Sequence, residues 1–160
     1  MNKGERISQF VQQLESESID AGADPVVAHP YYRAFFRCWN EQLYYEAHDV
    51  LEQVWLGKPG ADANFFKGLI QAAGGFVHLQ KNFEQPTHPK HGKRLRPAVR
   101  LFRLALANLA PYQPRHHALN VTSLCELLER TAVATSSSNY HENPWSPERA
   151  PVLELRHGVR

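Results

Sequence analysis

Apolar residues recur along this chain at spacings of three and four positions, and strand-like alternation is scarce. Such spacing places apolar side chains on one face of an α-helix. The sequence therefore predicts an all-α fold, a compact bundle of four to five helices with an extended C-terminal tail. We expect a single domain over residues 1–135 and an extended or partly disordered tail over residues 136–160.

Interruptions of this pattern divide the chain into helices. Glycine and proline cluster at 57–60, 85–92 and 111–114, where they supply turn geometry and where proline cannot continue a helix. A helix with Pro97 in its first turn is predicted to stop before Pro111. The other predicted helices cover about residues 3–18, 30–55 (with or without a break), 63–82 and 121–135.

The composition is typical of a globular protein, since 42% of the 160 residues are hydrophobic and 21% are charged. A chain of this length can fold without a disulfide or a structural metal. Cys38 and Cys125 have no CxxC partner, so we expect reduced, buried thiols. We see no secretory signal and no apolar stretch of the ~20 residues needed to cross a bilayer, and therefore expect a cytoplasmic protein.

The formal net charge is only +2, but the charges are sorted along the chain. Residues 41–57 contain four acidic residues and no lysine or arginine, whereas residues 86–117 contain seven lysines and arginines and no acidic residue. Arg96, Arg100 and Arg103 share one helical face that could bind phosphate, a nucleic-acid backbone or an acidic partner. We favour a solvated or internally paired face, because no aromatic platforms interleave with these residues, and do not expect nucleic acid as a partner.

The predicted helix that ends at Trp55 has two distinct faces. Its core face carries Leu43, Ala47, Val50, Leu51 and Val54. The other face carries polar and aromatic side chains at the spacing i, i+4, i+7, i+11 and i+14, namely Glu41, Tyr45, His48, Glu52 and Trp55. His48 and Glu52 lie one turn apart and can touch. The two aromatic residues suggest that this face is partly buried.

The next helix, over 63–82, has a similar polar edge made of Lys67, Gln71, Gly74 and His78. Glycine in a helix interior costs about 1 kcal/mol relative to alanine, so the neighbouring pair Gly74 and Gly75 requires a reason. Close approach of another helix, or space for a ligand, would supply one.

Our main hypothesis is that the two polar faces meet in one interhelical pocket. His48, Glu52 and His78 are its candidate catalytic or metal-binding residues, and a mixed nitrogen and oxygen set of this kind could hold a divalent metal such as zinc, manganese or iron. The pocket would bind a small molecule, and a hydrolase-like enzyme is one use of it. Its further candidate lining residues are Asn40, Tyr45, Glu46, Trp55, Lys67 and Gln71.

Two alternatives remain open at the level of sequence. The same residues could form a buried polar network that fixes helix register without chemistry. The protein could also be a non-catalytic interaction or homodimerisation module with Trp55 as the anchor of the interface. Established metal motifs do not decide the question, since His141-Glu142 lacks the second histidine of HExxH and no ExxH pair occurs within the predicted helices. The other histidines, among them His116 and His117 between two helices, are poorer candidates, and most of them are expected to be solvated.

Two segments resemble a known family. The first is Asn40-x4-Tyr45-Glu46-Ala47-His48-Asp49-Val50-Leu51-Glu52-x2-Trp55, and the second is Phe66-x-Gly68-Leu69-Ile70-Gln71-x-Ala73-x4-His78. Together they resemble the family catalogued as domain of unknown function 309, with weaker similarity through roughly residues 30–130. The resemblance implies a compact helical bundle and no established activity. Its matching polar positions are Asn40, Glu46, His48, Glu52, Trp55, Gln71 and His78.

Overall fold

Seven α-helices make up most of residues 3–15 and 24–156, which are the parts of the chain described by the computed structural model. They are α1 (Lys3–Glu15), α2 (Pro25–Ala28), α3 (Pro30–Asn40), α4 (Tyr44–Trp55), α5 (Ala63–Glu84), α6 (Leu95–Leu109) and α7 (Val121–Ser137). Two short strands, β1 (Arg115–His116) and β2 (Leu119–Asn120), pair antiparallel between α6 and α7. The predicted all-α bundle is confirmed.

Helix α5 occupies the centre of the bundle, with α4 on one side and α6 on the other. Its buried face includes Phe65, Leu69, Phe76 and Leu79. A Cβ atom at Gly75 would lie 2.7 Å from Cδ1 of Phe102 on α6, so a larger residue could not fit without displacing that ring. The glycine therefore allows α6 to approach α5 closely, which was one of the two reasons expected for it.

The predicted helix over 30–55 is broken into α3 and α4. The break occurs at Gln42, whose φ of 62° lies in the left-handed region. The N–H of Leu43 then donates to the carbonyl oxygen of Cys38 at 2.8 Å, which closes the end of α3. The new direction of α4 buries Tyr44 against Phe76, with ring centroids 5.4 Å apart. The helix count exceeds the predicted four to five because of this break and because α2 forms a single turn.

Part of the N-terminal prediction lies outside the described residues. Helix α1 is described as far as Glu15, and residues 16–23 contain the predicted end of the first helix at about residue 18. Directly after them, Asp24 caps α2 by accepting a hydrogen bond from the N–H of Val26 at 2.9 Å. The first helix packs against α3.

The chain beyond α7 crosses the bundle as far as Arg156, and we call residues 138–156 the strap. It is irregular apart from a turn at 138–140 and a 3-10 helix at Pro147–Arg149. Trp145 is only 4% exposed, and its Nε1 donates to the Tyr44 hydroxyl at 3.1 Å. Asn40 on α3 forms two hydrogen bonds of 2.8 Å with the backbone of Leu153. Trp145 and Leu153 therefore hold the strap to α3 and α4.

Both cysteines are free and buried, as expected. Burial raises the pKa of the Cys38 thiol to about 12 and also raises the pKa of Cys125. Neither thiol is therefore a reactive thiolate at neutral pH. Within residues 3–15 and 24–156, the helices fall short of the length and apolarity that a membrane crossing requires.

Candidate functional site

The predicted pair of His48 and Glu52 forms on α4. Nε2 of His48 lies 2.7 Å from Oε1 of Glu52, and the two side chains are 32% and 31% exposed. The Tyr45 ring stacks beside His48 with a centroid distance of 6.3 Å, but it is 51% exposed instead of partly buried. This part of α4 is a histidine–carboxylate pair at the surface.

His78 makes different contacts. Its Nδ1 lies 3.0 Å from a guanidinium nitrogen of Arg94. Burial, together with the charges of Arg94 and Arg100, lowers the pKa of His78 to about 4, and a neutral imidazole results. His48, Glu52 and His78 do not form a group whose ligand atoms lie within 4.8 Å of one another. A metal site that these three share stays a prediction, and the neighbouring guanidinium disfavours a second cation at His78.

The polar edge of α5 is occupied by α6. A Cβ at Gly74 would lie 3.1 Å from Cδ1 of Leu101 and 3.9 Å from Cδ2 of His48, so Leu101 fills the space that glycine leaves beside His48. One turn earlier, Gln71 accepts a hydrogen bond of 2.7 Å from Nδ2 of Asn108 on α6. Helix packing therefore accounts for residues that had been expected to line a ligand pocket.

The other predicted lining residues lie in separate surroundings. Asn40 holds the strap, and Lys67 is exposed. Glu46 is buried and forms a 3.4 Å ion pair with Arg6 of α1. Trp55 stacks on Phe66 with a centroid distance of 4.4 Å and an interplanar angle of 13°, so its ring is engaged within the molecule. These positions lie apart from one another, and both a shared pocket and Trp55 as an interface anchor stay predictions.

A second polar cluster lies at the N-terminal end of α5. Four side chains from separate parts of the chain meet there. Both carboxylate oxygens of Asp62 form hydrogen bonds with histidines. Oδ1 lies 2.7 Å from Nε2 of His116, and Oδ2 lies 2.5 Å from Nε2 of His117. Nδ1 of His117 lies 2.8 Å from Oδ2 of Asp24. His117 therefore bridges two carboxylates, and Asp62 bridges two imidazoles. We call Asp24, Asp62, His116 and His117 the His–Asp cluster.

A tight hairpin positions the two histidines. His117 and Ala118 form the two-residue loop between β1 and β2, and their φ angles of 44° and 64° are both left-handed, as turns between antiparallel strands require. The Tyr32 hydroxyl donates to the His117 carbonyl oxygen at 2.9 Å, and the N–H of Arg156 donates to the Ala118 carbonyl oxygen at 2.9 Å. Helix α3 and the strap thus fix the hairpin from two sides.

The two aspartates are supplied by helix starts. Asp62 directly precedes α5, yet its side chain makes no capping hydrogen bond there, because both of its oxygens face the histidines. Asp24 precedes α2, where Oδ1 caps the helix and Oδ2 faces His117. Each carboxylate is therefore positioned by the start of a helix, and both contact His117 in the loop between β1 and β2.

Charge within the His–Asp cluster is strongly coupled. Burial opposes ionisation of Asp62, but the hydrogen bonds to His117 and His116 outweigh it and lower the pKa of Asp62. Burial also opposes the charge on His117, but Asp24 and Asp62 outweigh it and raise the pKa of His117. Burial also opposes ionisation of Asp24, but its contact with His117 and the hydrogen bonds from the N–H groups of Val27 and Val26 together lower the pKa of Asp24. The cluster therefore holds two carboxylates at neutral pH and favours positive charge between them.

Aromatic rings shield one side of the cluster. The His116 ring lies 4.8 Å from the Phe65 ring and 4.9 Å from the Tyr112 ring, measured between centroids. The His117 side chain is only 15% exposed, and its ring is parallel to Phe66 to within 10°. Low local polarity strengthens electrostatic interactions in such a site. The prediction of a solvated histidine therefore fails for His117, whereas the His116 side chain is 30% exposed.

The geometry fits a metal ligand set. One ligand atom each from Asp62, His116 and His117 lies within 4.8 Å of the others, and this is the one group of three or more such residues that residues 3–15 and 24–156 contain. Metal–nitrogen and metal–oxygen bonds of about 2.0–2.2 Å at tetrahedral angles separate ligand atoms by roughly 3.3 Å. The present contacts of 2.5 and 2.7 Å would therefore widen by somewhat less than 1 Å as a metal replaced the hydrogen bonds.

The sequence contains only a weak signal for this site. His116-His117 is the one pair of adjacent histidines, and it follows a proline-rich turn before the last helix. The aspartates are separated from His117 by 93 and 55 positions. The histidine pair could have been singled out, but its partners could not.

The fold and this cluster define an all-α helical-bundle protein with a histidine–aspartate site at one end. Residues 32–86 match the family described as Domain of unknown function (DUF309). The resemblance predicted from the two motifs is thereby confirmed over a segment that runs from α3 to the end of α5. This segment includes His48, Glu52 and Asp62 but neither His116 nor His117. No curated protein and no solved structure matches the chain.

Proposed function

We propose that this protein binds one divalent transition metal through Asp62, His116 and His117. The observation that carries the proposal is the convergence of three ligand atoms within 4.8 Å from residues that are far apart in sequence. Two imidazoles and one carboxylate form a mixed nitrogen and oxygen set that suits zinc, and also manganese or iron. The metal class agrees with the sequence hypothesis, while the ligand residues differ.

Asp24 supports the proposal because it contacts the ring nitrogen of His117 that would not bind the metal. A metal-bound histidine commonly donates its second ring N–H to a carboxylate, which fixes the orientation of the ring and increases its basicity. Nδ1 of His117 has such a partner in Asp24 at 2.8 Å, which leaves Nε2 directed at the proposed metal position.

Three protein ligands leave one tetrahedral position open, as in zinc sites that carry out hydrolysis. We therefore also propose a hydrolase-like activity at this site. Within the site, Phe65 and Tyr112 limit access of water to His116, and Asp24 holds His117 in position. We place the protein in a reducing compartment such as the cytoplasm, where free thiols like Cys38 and Cys125 persist.

Metal titration of purified, chelator-treated protein tests the proposal. We expect one equivalent of Zn²⁺ or Co²⁺ to bind, with Co²⁺ giving the visible absorption of tetrahedral coordination. Asp62→Asn keeps the shape of the side chain but removes the anionic ligand, and we expect it to abolish stoichiometric binding. His48→Ala is the matched control and should bind normally.

Two results would contradict the proposal. One is the absence of stoichiometric binding by the unaltered protein. The other is loss of binding in His48→Ala with binding retained in Asp62→Asn, which would instead assign the metal to the pair of His48 and Glu52. Circular dichroism of each variant establishes that its helices are intact.

A further inference from the structure

A groove beside α6 is not part of the His–Asp cluster. It has a volume of about 420 Å³, within the range of roughly 300–1,000 Å³ that small-molecule sites occupy. We call it the α6 groove, and its lining consists of Arg96, Val99, Arg100, Arg103, Leu104 and Tyr140. Three cationic side chains and one aromatic ring thus line an open surface groove of ligand size.

The positive charge of the α6 groove is incompletely neutralised. Arg100 makes no hydrogen bond or ion pair with the residues that the structure describes. Arg103 reaches Glu129 at only 3.9 Å, between side chains that are 51% and 54% exposed, so that pair is weak. Arg96 lies over the Tyr140 ring at 4.1 Å and has no carboxylate partner among the described residues.

The positive charge beside α6 also affects the pKa of His78. After burial, the charges of Arg94 and Arg100 are the causes that lower the pKa of His78. No acidic residue occurs between residues 86 and 117 to offset these arginines from within the same stretch of chain. An anion in the α6 groove would therefore meet a favourable potential.

The aromatic side of the groove is built by an unusual backbone. Asn139 and Tyr140 follow α7 with φ angles of 56° and 62°, and a bulky residue is uncommon in this left-handed region. The N–H of Tyr140 donates to the Thr135 carbonyl oxygen at 3.3 Å, which turns the chain back towards α6. This reversal brings the Tyr140 ring onto Arg96, at the edge of the groove.

We infer that the α6 groove binds a mononucleotide. Guanidinium groups recognise phosphate through paired, charge-assisted hydrogen bonds, and Arg100 and Arg103 are available for this role. The base would lie against the ring of Tyr140 and the side chain of Leu104, which is 46% exposed, whereas Val99 is buried beneath them at 5%. The groove thus combines an anion-binding side with an aromatic and apolar side, as a nucleotide requires.

Calorimetric titration of the full chain with adenosine 5′-monophosphate, adenosine and inorganic phosphate tests this inference. We expect saturable binding of one mononucleotide per chain, weaker binding of phosphate and no measurable binding of adenosine. Arg100→Gln should weaken mononucleotide binding by about 10-fold or more, because a hydrogen bond to a charged group is lost. Arg149→Gln, which removes an exposed arginine on the strap, should leave binding unchanged.

Tyr140→Ala separates the two sides of the groove. It should weaken mononucleotide binding and leave phosphate binding unchanged, since the phosphate contacts only arginines. Asp62→Asn should bind the mononucleotide normally, so a failure of the metal proposal leaves this test intact.

Three outcomes would overturn the inference. They are no saturable binding of the mononucleotide by the unaltered protein, equal affinities for phosphate and mononucleotide, and binding of a single-stranded oligonucleotide without binding of the mononucleotide. The second would reduce the groove to a simple anion site, and the third would make it a nucleic-acid surface.

Discussion

At the scale of single residues, His117 connects the local structure to the proposed chemistry. Its two ring nitrogens face different aspartates, at 2.8 Å for Asp24 and 2.5 Å for Asp62. Only the contact to Asp62 would be replaced by a metal, whereas the contact to Asp24 would persist and orient the ring. The two aspartates are therefore expected to differ sharply in their effects on metal binding.

Replacement of Asp24 by asparagine tests this distinction. Asparagine caps helices about as well as aspartate, so α2 should be preserved. We expect Asp24→Asn to weaken zinc affinity by about 10- to 100-fold without abolishing binding, as is usual for carboxylates behind a ligating histidine. Competition with a chromophoric chelator measures the affinity, and Asp49→Asn on α4 is the control. An unchanged affinity in Asp24→Asn would remove the supporting role of Asp24.

His78 gives the protein a pH dependence of a defined sign. Its pKa in the folded state is about 4, below the ordinary value of 6.5. The unfolded chain therefore takes up this proton first as the pH falls, and the free energy of unfolding decreases between about pH 6.5 and pH 4. Above that range His78 contributes no pH dependence.

His78→Asn should reduce the loss of stability on acidification. Asparagine can still accept a hydrogen bond from Arg94 but cannot become charged. Urea unfolding at about pH 7 and about pH 5 measures the change, with the exposed His141 replaced by asparagine as the control. Equal losses in the unaltered protein and in His78→Asn would contradict the assignment.

At the scale of elements, a helix is predicted more accurately from sequence where its apolar residues recur at regular spacing. The predicted helix over 63–82 ends two residues before the observed end of α5 at Glu84, and this accuracy reflects apolar residues that recur without interruption. The break between α3 and α4 was left open because the left-handed residue is Gln42 and not glycine or asparagine. The approach of α6 was anticipated only as a possible reason for the glycines, since the facing residues Phe102 and Leu101 lie on another helix.

Gly75→Ala tests the packing of α5 on α6. Helix propensity alone would make this change stabilising by about 1 kcal/mol. Because the new methyl group would contact the Phe102 ring at 2.7 Å or less, we instead expect a loss of about 1–3 kcal/mol in the free energy of unfolding. Ala107→Gly at an exposed position of α6 is the control for propensity and should cost about 1 kcal/mol. A stabilised Gly75→Ala would refute the close contact.

At the scale of the whole molecule, the least predictable features are those that join distant segments. The His–Asp cluster combines residues 24, 62, 116 and 117, and neither helical periodicity nor a motif relates them. The strap illustrates the same limit, since the sequence predicts only a tail there and not the residues of α3 and α4 that hold it. Its last residues also hold the hairpin, through the bond from Arg156 to Ala118, and so connect the strap to the proposed metal site.

Trp145→Ala should strongly destabilise the whole protein. The substitution removes a large buried side chain and leaves the Tyr44 hydroxyl without its indole donor, and losses of about 3–5 kcal/mol are typical of such changes. Thermal or urea unfolding measures the effect, and Val152→Ala, at a strap residue that is 64% exposed, is the control. Similar stabilities of the two variants would mean that the strap contributes little to the fold.

The location of a bound metal tests the central claim most directly. In crystals grown with Zn²⁺, anomalous scattering at the zinc absorption edge should give one strong peak about 2.0–2.2 Å from the ligand atoms of Asp62, His116 and His117. A peak beside His48 and Glu52 instead, or no ordered zinc in the protein, would contradict the proposal that the His–Asp cluster is a metal site.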